Sequence, residues 1–195
     1  AYAGVEKLIT AIPMPIDTNS IKVSKNTQNR KLTIFHGLNR CGVKGTRYVK
    51  EAFNEVMKKR NDVNFHIGRR MPFNEYQNTL SQMDVVIDQT NCYSIGMNAL
   101  LAMSMGKSVM GGNEPESLAC FGISSSPVIN ILPDADDISC KIETLLDNPA
   151  TLVERNIASR EYVEQFHNHI KIAQKYLEVW SAPHLYRNKH KVLES

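Results

Sequence analysis

Two stretches have residue types and spacings suited to chemistry: the glycine-bearing loop HGLNRCGVKGT at 36–46 and the polar run DQTNCYSIGMNALLAM at 88–103. In the first, Gly37, Gly42 and Gly45 permit close backbone approach, while Arg40 and Lys44 can neutralise a diphosphate. The spacing is neither G-x-G-x-x-G nor a P-loop, because Lys44 precedes its glycine. Taken alone, the loop is better read as a glycine-rich turn with two solvated cations. In the second, the apolar run Val85–Ile87 passes through polar residues into a helix with spacing over Gly96–Met105, which Gly106 stops. A helix starting near Gly96 and Met97 offers unpaired backbone N–H groups and a positive dipole end, an ordinary seat for phosphate.

Other polar residues gather in the same loops. Asp88, Gln89, Asn91 and Tyr93 follow the apolar run closely, and a buried carboxylate there needs a partner, from either a ligand or a structural network. Asn98 lies among small and apolar helix residues, so its amide needs a partner of one kind or the other. Glu114 and Glu116 in GGNEPES either accept sugar or ribose hydroxyls or open a helix with favourable dipole contacts. In GRRMPFNEY, main-chain atoms around Met71 are placed to meet a base edge, although helix capping explains them as well. His36 ends a strand, where a packed neutral ring is favoured over an acid or base.

The elements that must position these loops alternate. Strands are expected at 31–37, 63–68, 85–88, 108–111 and 128–132, with helices at 45–60, 72–83, 96–105, 135–148, 152–166 and 170–180. Short β-rich runs alternating with helices predict an α/β fold, a Rossmann-like parallel sheet flanked by helices. Ligands then sit beyond the carboxyl ends of the strands, where loops 37–45, 68–73, 88–96 and 111–117 meet.

Composition narrows the function class. With 23 basic and 20 acidic residues, the net charge of +3 is too balanced for nucleic acid or an anionic membrane as the main partner. The four cysteines have no C-x-x-C spacing, so neither zinc nor a disulfide framework is suggested. No apolar run approaches about 18 residues, and reduced thiols fit a cytoplasmic protein. The sequence opens without Met and enters a proline-bounded stretch, so 1–29 is expected to be an inter-domain linker following a larger upstream part. Residues 30–182 form the main domain and 183–195 a polar tail.

Together these loops resemble the C-terminal, donor-binding half of group 1 (family 4) glycosyltransferases of GT-B architecture. IPMPIDTNSI resembles the family's inter-domain IPNPIDT segment. LTIFHGLNRCGVKGTRYVKEAF is similar to its strand-loop-helix with the KG pair, and MDVVIDQ to its ADVFVLPS strand. LAMSMGKSV resembles EAMAxGKPV, and REYVEQFHNHIKIAQKYLEVW resembles the terminal helices that cross back to the N-terminal domain. The stretch 88–116 further resembles a divergent branch from bacterial capsule and surface-polysaccharide clusters.

The resemblance implies a hexosyltransferase, of retaining type, taking its sugar from a nucleotide diphosphate without a metal or other cofactor. Arg40 and Lys44 then act on the leaving diphosphate, the backbone around Met71 on the base, and the helix start at Gly96 and Met97 on the phosphates. Gly37, Asn39, Asp88, Gln89, Tyr93, Asn98, Glu114 and Glu116 complete the expected donor site. The family's two glutamates fall on Tyr93 and Leu101, so other polar groups of this set must replace them. The missing N-terminal acceptor-binding domain is the expected partner, which leaves the fragment alone inactive. The setting is cytoplasmic, with room for peripheral association at the inner membrane face. Competing readings are a degenerate, non-catalytic interaction module and a GT-B sugar-nucleotide epimerase. A dinucleotide oxidoreductase fits least, since it lacks the glycine fingerprint.

Overall fold

The computed structural model describes residues 10–24, 31–38, 44–69 and 71–183. Its sheet has five parallel strands in the order β2-β1-β3-β4-β5. They are β1 (Leu32–Gly37), β2 (Val63–Gly68), β3 (Val85–Ile87), β4 (Ser108–Gly111) and β5 (Ile129–Asn130). Order reverses between β1 and β3, which flank the point where successive crossovers go to opposite sides of the sheet. That switch point leaves a crevice beyond the strand ends.

Both faces of the sheet are covered, as continuous apolar strands require. On one face, Ile34, Val85, Ile87 and Met110 pack against α1 (Thr46–Lys59) and α5 (Ala135–Asp147). On the other, Phe35, Val86 and Val109 meet α2 (Phe73–Ser81), α3 (Met97–Ser104) and α6 (Thr151–Phe166). α1 shows the expected amphipathic spacing, burying Val49, Ala52, Phe53 and Val56 and ending in Lys58 and Lys59. α3 is apolar around most of its circumference because it lies between the sheet and α6. Gly106 terminates it in the left-handed region, φ +72°.

Two elements differ from expectation. The stretch 111–117 holds a short helix, α4 (Pro115–Ala119), with Pro115 in its first turn, where a missing N–H costs nothing. The strand expected at 128–132 shrinks to Ile129–Asn130, because Pro127 and Pro133 bracket an edge that pairs only with β4.

The described part of the N-terminal stretch lies against the closing helices, the last of which is α7 (His169–Ser181). Ile16 bridges to Asn168, its N–H donating to the His167 carbonyl at 2.8 Å. Arg160 on α6 fixes the same segment by donating to the carbonyls of Thr18, Ile21 and Ser104.

Candidate functional site

At the carboxyl end of β3, Asp88 is drawn into the sheet edge by its own N–H, which donates to the Met110 carbonyl at 2.9 Å. Its carboxylate is 1% exposed and uses both oxygens. Oδ1 accepts from Lys44 Nζ at 3.0 Å and Oδ2 from the Gly96 N–H at 2.6 Å. Lys44 is 6% exposed, so the expected cation of the glycine loop is one half of a buried ion pair. Asp88, for which the sequence allows a ligand or a structural network, thus has Lys44 and Gly96 as its partners.

The loops are held in register by backbone contacts. The Thr90 N–H donates to the Lys44 carbonyl at 3.4 Å, and the Gly112 N–H to the Gln89 carbonyl at 3.3 Å. Gln89 Nε2 donates to the Ser94 carbonyl at 2.9 Å. Gly45 adopts φ +60°, and a Cβ there would lie 1.8 Å from Thr90 Oγ1, so only glycine lets the two loops meet.

Gly96 caps α3 in extended conformation and brings no side-chain cap of its own, while its N–H is held by Asp88. The N–H groups of Met97, Asn98 and Ala99 precede any possible i−4 carbonyl of the helix. Met97 is exposed and Asn98 half-buried on this first turn.

Gly37 ends β1 beside this cluster, and Tyr76 from α2 lies against it. A Cβ on Gly37 would be 3.4 Å from the Tyr76 hydroxyl. That hydroxyl belongs to a side chain in a residue 7% exposed and has no hydrogen-bond partner among the described residues. Burial, with the Asp88 charge second, pushes the phenol well above its ordinary value. Nothing in the residue pattern marks Tyr76, because an amphipathic helix explains a buried tyrosine fully. Only the β1–α2 packing brings it to the strand ends.

His36 is a packed neutral ring. Its Nδ1 donates to the Ile87 carbonyl at 3.0 Å, which leaves Nε2 to accept from Thr46 Oγ1 at 2.9 Å. Burial lowers its pKa to about 4 despite the carbonyl's opposing effect.

Elsewhere the expected donor residues spread along the crevice. Met71 is half-buried near the end of β2, its Sδ accepting from Thr79 Oγ1 at 3.8 Å. Tyr93 is 70% exposed, whereas Leu101 is 6% exposed and packs in the core. Glu114 precedes α4 and accepts from Asn130 Nδ2 at 3.0 Å, tying α4 to β5. Glu116 is exposed and, with Tyr93, Asn91, Met14, Phe121 and His167, lines a cavity of about 860 Å³. Asn39 and Arg40 lie outside the described residues. Among the described residues no group of three or more His, Cys, Asp or Glu side chains converges, and no helix is long and apolar enough to cross a membrane.

No protein-family model matches the chain, and no curated protein matches it. Solved structures do. The C-terminal domain of the glycosyl transferase group 1 family protein LpcC from Francisella tularensis superposes with a TM-score of 0.59 at 18% identity, covering 77% of this chain and 97% of that domain. Anabaena HepE, in complex with UDP and glucose, gives 0.65 at 15% identity over 88% of this chain and 56% of its own. S. aureus TarM, as a variant complexed with UDP, α-GlcNAc-glycerol and fondaparinux, gives 0.62 at 18% identity over 82% and 38%. The chain thus has the fold of the C-terminal Rossmann-like domain of GT-B glycosyltransferases, and spans about half of HepE and less of TarM.

Proposed function

We propose that this chain is the donor-binding part of a glycosyltransferase that moves a sugar from a nucleotide diphosphate to an acceptor in the synthesis of a bacterial capsule or surface polysaccharide. The observation that carries the reading is the meeting of the Lys44 ammonium, the open first turn of α3 and the Gly37 backbone at the switch point of the sheet. Such a site offers a fixed cation, backbone donors and room for close approach, which is what a pyrophosphate needs. Neighbours of the same fold hold UDP or UDP-glucose, which supports the choice of ligand.

In this reading Arg40 and Lys44 stabilise charge growing on the departing diphosphate, aided by the dipole of α3 through the N–H groups of Met97 and Asn98. No metal is assigned to that role. Gly37 and Asn39 border the phosphates, and the backbone at Met71 meets the base. Tyr93, Gln89 and Glu116 face the sugar, while Glu114 and Asp88 support the loops that carry them. Transfer proceeds with retention, in a cleft closed by an upstream acceptor-binding domain. The exposed apolar residues Ile170, Leu177 and Trp180 of α7 are the surface assigned to that domain. The chain alone binds nucleotide weakly and transfers nothing; the intact protein works on the cytoplasmic side of the membrane.

The test is a donor screen on the intact protein, read by released nucleoside diphosphate, with Lys44→Ala as control. Turnover with one donor, and its loss in the variant, is the expected result. Unchanged transfer in Lys44→Ala overturns the role of that lysine. A second reading, a non-catalytic module of the same fold, is favoured by Leu101, which puts an apolar buried side chain where the family carries a glutamate. Thermal shift with nucleotide sugars separates the two, since a pure scaffold gains no stability from any of them.

A further inference from the structure

Two of the donors that face the phosphate seat, one ammonium and one backbone N–H at a helix start, are already taken by a single carboxylate. Asp88 holds Lys44 Nζ at 3.0 Å through one oxygen and the Gly96 N–H at 2.6 Å through the other. This is the bidentate arrangement that a phosphate would adopt between a lysine and a helix N-terminus. We propose that Asp88 is an internal competitor for phosphate: the carboxylate occupies the anion seat of the free protein, and a bound diphosphate takes over its donors. The inference rests on the nucleotide-diphosphate reading of the site and adds to it a residue that limits affinity and promotes product release.

Three observations support it. The strand fixes Asp88, whose N–H donates to Met110, so the carboxylate returns to the same place whenever the donors are vacated. The pair is nearly neutral and buried, with side-chain exposures of 8% for Lys44 and 1% for Asp88, so the cation is not free to attract an anion at full strength. Next to it, the Tyr76 hydroxyl is buried at Gly37 without a partner among the described residues, a donor that the internal carboxylate leaves unused. A ligand with more oxygens than one carboxylate can satisfy all three groups. After transfer, Asp88 competes again for Lys44 and Gly96 while the nucleoside diphosphate leaves, which counters product retention in a site rich in donors.

The experiment compares wild type and Asp88→Asn by calorimetric titration with UDP and with inorganic pyrophosphate, and follows the Gly96 amide in the wild-type chain by NMR. The Asn variant should bind both ligands about tenfold more tightly or better, since a buried cation loses its competing partner. Its affinity should also fall more steeply with salt. In wild type, the Gly96 amide resonance should shift on saturation with UDP, as its acceptor changes from the Asp88 carboxylate to a phosphate oxygen. Binding of UDP by wild type with unchanged or weakened binding in Asp88→Asn would overturn the competitor role and make Asp88 a positioning residue for Lys44. A variant gain for pyrophosphate with no preference for UDP over pyrophosphate in either protein would leave the competitor role standing and sink the nucleotide reading. No binding of either ligand to either protein overturns both. If Asp88→Asn does not fold, a stationary Gly96 resonance at UDP saturation refutes the proposal.

Discussion

Replacing Lys44 by Met tests whether the ion pair at the strand ends is as buried as its geometry implies. The charges lie 3.0 Å apart, with side-chain exposures of 8% and 1%. At an effective dielectric constant of about 20, Coulomb's law gives between about 5 and 6 kcal/mol at this separation. Desolvation offsets much of that in the intact pair, but Met leaves Asp88 buried with only the Gly96 N–H, and breaking a buried pair from one side costs about 3–5 kcal/mol. For a domain of this size each kcal/mol moves the melting temperature by about 2–4 °C, so the variant should melt roughly 6–20 °C below wild type. Urea and thermal unfolding measure the loss, and the double variant Lys44→Met/Asp88→Leu should recover most of it, because an apolar pair of similar volume is tolerated where a lone charge is not. A loss below about 1 kcal/mol, or no recovery in the double variant, would show a solvent-screened pair. The site would then lack the fixed cation on which both functional arguments stand.

Three further outcomes are expected. His36, with its pKa lowered from 6.5 to about 4, binds fewer protons folded than unfolded. Its contribution is therefore complete above pH 6.5 and lost as the pH falls toward 4, by about 3 kcal/mol in total; urea midpoints across that range should show the loss in wild type and a flatter profile in His36→Gln. Tyr76→Phe removes a buried hydroxyl without a partner among the described residues, so stability should hold or rise by up to about 1 kcal/mol, while UDP affinity by titration falls about tenfold, and unchanged affinity would exclude the phenol from the phosphate site. Arg160→Met removes the donor shared by three carbonyls and should cost about 2–4 kcal/mol in urea unfolding, with faster amide exchange across Ile16–Ser24 as the local signature.

The alternation of short apolar runs with helical periodicity was enough to settle an α/β parallel sheet. Short apolar strands buried on both faces and helices with one apolar stripe have few other ways to hide their surface, and β1, β2, β4, α1, α5 and α6 fall close to where the pattern places them. The sequence also pointed to the loops at the strand ends where the proposed site lies, because glycine, lysine and polar runs directly after strands are suited to close backbone approach and charge. It could not assign partners. Whether Asp88 faced a ligand or Lys44, whether Glu114 faced a sugar or Asn130, and where Tyr76 pointed depended on strand order and on loops far apart in the chain. Residue types limit which contacts a side chain is able to make, but the choice among them is made by distance, and distances between positions 44, 76, 88 and 96 exist only once the sheet has closed.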